Sequence, residues 1–255
     1  MTANIIMPDK TKIGPISAVF FDKDGTLMDS HSYWGAIIAV RAELIVNLFG
    51  LSTDKISGIC DSMGYCNKTM KLLEKGPVAL ESRSVVVDKV LNYLESIGTA
   101  ANVKDISEIF DLASSKFNDK ESLMIYPILT ALSKMKELSQ IGIKISIITS
   151  DTVSNTHKFI RQEGLEELEI MVIGRDNYPH AKKTGLPASF AANELGVDIS
   201  QCLVIGDAPM DYLMAINSGA LHLLVSSGQL SYDTLRMTTS YVVKDLCEIN
   251  YTQSP

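Results

Sequence analysis

The chain has 255 residues, 46% of them hydrophobic and 21% charged, which supplies a buried core and lacks the polarity of a disordered chain. A formal net charge of -7 with no Lys/Arg cluster excludes a nucleic-acid surface, which needs a concentrated basic face. No run approaches the roughly 20 apolar residues of a membrane span. The start MTANIIMPDKTK has no signal-peptide core, and Cys60, Cys66, Cys202 and Cys247 show no CxxC or zinc-ligand spacing, so a cytoplasmic protein with reduced thiols is the simplest class.

Residues 16–21, ISAVFF, predict a buried parallel strand that stops at the polar DKDGT. From Tyr33 to Phe49 the apolar residues Trp34, Ile37, Ile38, Leu44, Ile45 and Leu48 recur at helical spacing, with Gly50 as the stop. Helical patterns follow at about 52–62, 82–97 and 105–118, with loops around Gly64 and Gly76-Pro77 and no strand signal between them. Pro127 sits where a first helical turn tolerates proline, ahead of the stripe Ile128, Leu129, Leu132, Met135 and Leu138. Strands at 143–149, 170–173, 202–206 and 221–225 then alternate with helices near 187–195 and 209–218. That alternation predicts an α/β, doubly wound, Rossmann-like parallel sheet. The expected domains are an α/β core of residues 1–31 and 123–255, and an inserted all-helical domain of residues 32–122.

In such sheets ligands bind outside the carboxyl ends of the strands. The first strand delivers Asp22 and Asp24, and residues two apart in an extended segment face one side, so both carboxylates can enter one site. The strand at 143–149 delivers Thr149-Ser150. The strand at 202–206 delivers Gly206-Asp207, with Asp211 one helical turn on. Clustered carboxylates repel one another, and a hard cation such as Mg²⁺ is the usual way to hold them, Asp22 and Asp207 being the clearest ligands. Carboxylates, a hydroxyl and a lysine together suit phosphoryl transfer, in which a carboxylate can also be the nucleophile.

FDKDGTL at 21–27, Thr149 after an apolar strand, a lysine ahead of a helix, and GDAPMD at 206–211 resemble, in order and spacing, the four motifs of the haloacid dehalogenase superfamily. The helical insertion after the first motif resembles the C1 cap of its phosphoglycolate-phosphatase-like subfamily, and DGTLMDS, GRDNYPHAK and INSGA are similar to that group as well. The resemblance runs from Ser17 to about Gly228. It implies an Mg²⁺-dependent phosphatase in which Asp22 is nucleophile and metal ligand, and Asp24 is acid and base and gives its backbone carbonyl to the metal. Thr149, Ser150 and Lys182 would grip the phosphoryl group, Asp207 would complete the metal ligands, and Asp211 would orient Lys182 or a metal-bound water. The third motif departs from the family's Lys-Pro pattern, reading Lys182-Lys183-Thr184-Gly185. Counting back from Glu194 points to Lys182, with Lys183 as the competitor.

The implied partner is a small phosphorylated metabolite, with neither nucleic acid nor membrane, acted on by a monomer or homodimer. A phosphomutase of the β-phosphoglucomutase type would share every core residue, and a silent binding protein would be expected to have lost one of them. Asp29 and Ser30 read as N-caps, Asp176 as a loop or capping residue, and Trp34 as core. His31, just beyond the nucleophile loop, reads equally as facing the substrate or as structural. Lys68, Lys71 and Arg83 read as solvated charges of the helical domain, and Met124, Met135, Met171, Met210 and Met214 as core filler.

Overall fold

The computed structural model describes residues 1–78, 80–118 and 126–253. They fall into two compact units, Met1–Asp29 with Pro127–Pro255, and Ser30–Tyr126.

The first unit is built on six strands that pair in parallel throughout. Across the sheet they run Val242–Val243, Leu221–Val225, Cys202–Gly206, Ala18–Phe21, Lys144–Ile148 and Met171–Ile173. The AVFF run forms the central strand because all four side chains are buried, and only a strand covered on both faces can be apolar at every position. Ala18 and Phe20 point to a layer containing Ala188, Ala191 and Ala192 of helix Leu186–Leu195 and Met214 and Ala215 of helix Pro209–Ser218. Register aligns Phe21 with Ile147 on one side and Ile205 on the other. The polar residues that follow these three strands therefore emerge at one level.

The expected strand at 16–21 divides at Ser17. Ile16 belongs instead to strand Lys12–Ile16 of a small antiparallel sheet, with Ala3–Ile6 in the middle and Asn250–Gln253 on its other side. That sheet and the edge strand Val242–Val243 escape a periodicity reading because the strands are short and Ala3 pairs with Gln253 from the other end of the chain. Pro127 is not in a first helical turn. It bridges to Met28, Ile128 N–H donates to the Leu27 carbonyl at 2.9 Å and Ile128 is extended, so the helix begins only at Leu129. The expected boundary near residue 122 and Met124 lie outside the described residues. Met135 and Met214 are buried, whereas Met210 is 43% exposed and is no core filler. All four cysteines are free.

In the second unit, helices Ser30–Phe49, Ile56–Ser62, Arg83–Ser96 and Val103–Asn118 enclose Ile38, Ile45, Val90, Leu94, Ile106 and Phe110, with Trp34 packed against them. A two-residue antiparallel pair, Tyr65–Cys66 with Lys71–Leu72, also occurs here, too short to leave an alternating pattern. The first helix starts three residues before the expected Tyr33, making Ser30 its first residue rather than its cap. By length and composition this helix could cross a membrane, with a mean hydropathy of 1.3, because its charges at Arg41 and Glu43 are few. Its Ile38, Ala42 and Ile45 are nevertheless fully buried in the unit's own core. His31 Nδ1 accepts from the Leu72 N–H at 3.0 Å. Arg83 pairs with Asp111 at 2.7 Å, so it is not a simply solvated charge.

Candidate active site

Past Phe21 the chain leaves the extended conformation. The Leu27 and Met28 N–H groups both donate to the Lys23 carbonyl at 2.9 Å, and Gly25 takes φ +91°, a left-handed geometry that favours glycine. The two carboxylates take different ion-pair partners, Lys182 for Asp22 and Lys23 for Asp24, although the Asp22 charge still acts on Asp24.

Asp22 is tied to the sheet by its N–H, which donates to the Ile205 carbonyl at 2.8 Å. Its carboxylate accepts from Lys182 Nζ at 2.5 Å, and the same ammonium donates to Asp211 at 3.0 Å. Asp211 in turn accepts from the Ala208 N–H at 3.2 Å and so caps the helix that carries it. Asp22, Asp207 and Asp211 are all buried, and each offers a carboxylate oxygen within 4.8 Å of the others. Of the two candidate lysines, Lys182 is the one in this cluster. Lys183 is exposed, and its carbonyl accepts from Asn217 at 2.6 Å.

The electrostatics follow from this placement. Burial holds Asp207 well above the ordinary carboxylate range, and the Asp22 and Asp211 charges push the same way. Burial also raises Asp22, with Lys182 pulling against it and Asp211 adding to it. Burial opposes charge on Lys182, but Asp211 and Asp22 outweigh it and keep the ammonium above the usual lysine range. Three carboxylates sharing one lysine would carry an excess of negative charge when all are ionised, and oxygen donors at this spacing fit a hard divalent cation that would favour that ionised form.

Asp24 pairs instead with Lys23 at 2.7 Å, and Lys23 bridges to Asp151 at 3.0 Å. Lys23 is almost fully buried. Desolvation disfavours its charge, but Asp24 and Asp151 hold it protonated above the usual lysine range. Asp24 is raised by burial, with Lys23 opposing and Asp22 and Asp151 reinforcing. Against its own desolvation, Asp151 is held below the usual range by Lys23, Asn155 and the Thr152 N–H. The Asp151 N–H donates to Thr149 Oγ1 at 3.1 Å, so this network reaches the end of the neighbouring strand. Thr149 is buried and Ser150 exposed. Sequence reasoning missed Lys23 and Asp151, since a residue between two aspartates reads as facing away.

The loop after strand Leu221–Val225 closes the cluster from the other side. Ser227 Oγ donates to the Gly25 carbonyl at 2.6 Å. Gly25 and Gly228 lie so close to the Asp207 carboxylate that a Cβ on either would overlap it. Asp176 accepts from the Val153 N–H at 2.9 Å at the start of helix Val153–Gln162, a structural role.

A family model of haloacid dehalogenase-like hydrolases matches residues 16–219. The chain is 27% identical over 217 residues to a phosphoglycolate phosphatase of Neisseria meningitidis, covering 84% of this chain and 81% of that one. Against the phosphoglycolate phosphatase of Neisseria gonorrhoeae the identity is 29%, with the same coverage. Among solved structures, a predicted phosphoglycolate phosphatase from Haemophilus somnus superposes with a TM-score of 0.64 at 14% identity, covering 91% of this chain and 96% of that one.

Proposed function

Because the chain belongs to the haloacid dehalogenase-like hydrolases, we propose that it is a cytoplasmic, magnesium-dependent phosphatase that hydrolyses a small, phosphoglycolate-like phosphate monoester through an aspartyl-phosphate on Asp22. The observation that carries this reading is the Asp22 carboxylate held at a strand end by Lys182, with Asp207 and Asp211 buried beside it.

Asp22 attacks the phosphorus atom, and the ester oxygen leaves with a proton from Asp24. Asp24 then takes a proton from the water that attacks the acyl-phosphate, returning free Asp22 and inorganic phosphate. Lys182, Thr149 and Ser150 grip the phosphoryl oxygens, and Asp211 positions Lys182. Asp22, Asp207 and the Asp24 carbonyl would hold the Mg²⁺, which when bound supplies positive charge for the phosphoryl oxygens. Residues 32–122 act as a cap that contributes specificity. Supporting this assignment, Lys23 and Asp151 fix the Asp24 carboxylate from one side. The test is phosphate release from a panel of small esters with Mg²⁺ and with a chelator. Metal-dependent release from at least one ester is expected, and none from any ester overturns the proposal.

Two further outcomes are expected. Lys23→Met frees the Asp24 carboxylate from its tether, so kcat/KM for an alkyl phosphate should fall roughly tenfold or more. The value for p-nitrophenyl phosphate should fall much less, because its leaving group departs without a proton. A second expectation concerns Asp207, whose carboxyl is held well above the ordinary carboxylate range by burial and by the Asp22 and Asp211 charges. A raised acid contributes stability that is whole below its unfolded pKa and is lost as pH climbs through its folded one. In chelator, the natural chain should therefore lose Tm relative to Asp207→Asn as pH rises above the ordinary carboxylate range. Mg²⁺ should narrow that gap by pairing the ionised form, as thermal melts across pH would show.

A further inference from the structure

Outside the carboxyl ends of strands Lys144–Ile148 and Met171–Ile173 lies a cavity of about 250 Å³. Part of its wall is the phosphoryl grip itself, Thr149, Ser150 and Lys182, and the rest includes Arg175, Tyr178 and His180 from the loop that follows the edge strand. No acidic residue lines it among the described residues, in a chain where 30 Asp and Glu outnumber 23 Lys and Arg. Every ionic or polar side chain on its wall can donate a hydrogen bond. The volume equals several water molecules at about 30 Å³ each, room for a group of a few heavy atoms.

The loop is held before any ligand arrives. The Gly174 N–H donates to Asn177 Oδ1 at 2.8 Å, and Asn177 Nδ2 to the Val172 carbonyl at 3.0 Å. The Arg175 N–H donates to the Asp151 carbonyl at 3.0 Å. Tyr178 stacks on Phe190 with centroids 4.5 Å apart and planes inclined by 19°, and His180 lies against its ring at 4.8 Å. A fixed loop presents its donors without an ordering cost at binding.

We infer that this cavity receives a second anionic group of the substrate, a carboxylate or a second phosphate within a few atoms of the scissile ester, with Arg175 as its cation and His180 as a further donor. The inference rests on the reading of Thr149 and Lys182 as the phosphoryl grip, and it places part of substrate selection on the α/β unit. Arg175 suits the role because its planar fork matches either oxyanion with two hydrogen bonds.

The experiment is calorimetric binding of 2-phosphoglycolate, ethylene glycol bisphosphate and ethyl phosphate to full-length Asp22→Asn with Mg²⁺, with and without Arg175→Met. Arg175 is exposed on a loop, so its loss should leave the fold intact. At least one of the two probes that carry a second anionic group should bind about tenfold or more tightly than ethyl phosphate, and Arg175→Met should remove that preference while ethyl phosphate binding stays unchanged. The stronger of the two identifies the second anion. Equal binding of all three, binding of none, or an equal loss for all three in Arg175→Met overturns the inference. The phosphatase reading fails separately: if the natural chain releases phosphate from none of these esters yet the Arg175-dependent preference holds, the cavity assignment stands without it.

Discussion

Asp22→Asn should lower phosphate release on the order of 10⁴-fold or more with little loss of stability. An amide cannot form the acyl-phosphate, and no other described carboxylate stands where Asp22 does, at the end of the central strand with Lys182 at 2.5 Å. Asp207 lies in the same cluster but follows a different strand, and Asp211 is engaged with both Lys182 and the Ala208 N–H. Stability should hold or rise because the change removes one of three buried, mutually repelling carboxylates. Steady-state phosphate release alongside thermal melting in chelator separates the two effects. A variant that is inactive because it is unfolded would contradict this expectation.

Lys182→Met should be damaging in both respects. Among the described residues Lys182 is the only cation bonded to Asp22 and Asp211, and removing one partner of a buried ion pair leaves uncompensated charge at a cost of about 3–5 kcal/mol. Activity should drop roughly 10²- to 10³-fold with the loss of a fixed charge on the transferring group. Mg²⁺ should restore part of the stability, since it supplies positive charge to the same carboxylates, but not the activity. Lys183→Met, at an exposed position whose backbone rather than side chain makes the contact with Asn217, should change neither by much. Denaturant melts and kcat for the pair of variants provide the comparison.

Much of the site was legible because its residues follow buried strands. A mostly apolar run such as AVFF, KISII or CLVIG that ends at a polar residue marks both the strand and its functional end, and this located Asp22, Thr149 and Asp207. Lys182 was reachable by counting back along a helix pattern, and only its burial in the ion-pair cluster separates it from Lys183. The Lys23, Asp24 and Asp151 network was not legible. It depends on the turn after Phe21 and on a loop that sequence places over a hundred residues away. The same limit hid the sheet joining Ala3 to Gln253, because long-range pairing leaves no local period. Pro127 misled for a different reason: a proline two residues before a helix and one inside its first turn look alike until the backbone partner of Ile128 is known.

The proposed reaction passes phosphate through a covalent bond to Asp22. Its most direct test uses Asp24→Asn, in which hydrolysis of the acyl-phosphate lacks its base, treated with p-nitrophenyl phosphate and Mg²⁺ and quenched in acid for intact-mass and peptide analysis. The expected result is the mass gain of one phosphoryl group, mapped to the peptide that contains Asp22 and absent when Asp22→Asn is added. Phosphate release by the natural chain with no covalent phosphoryl group in the variant, or with one on another residue, would contradict the account.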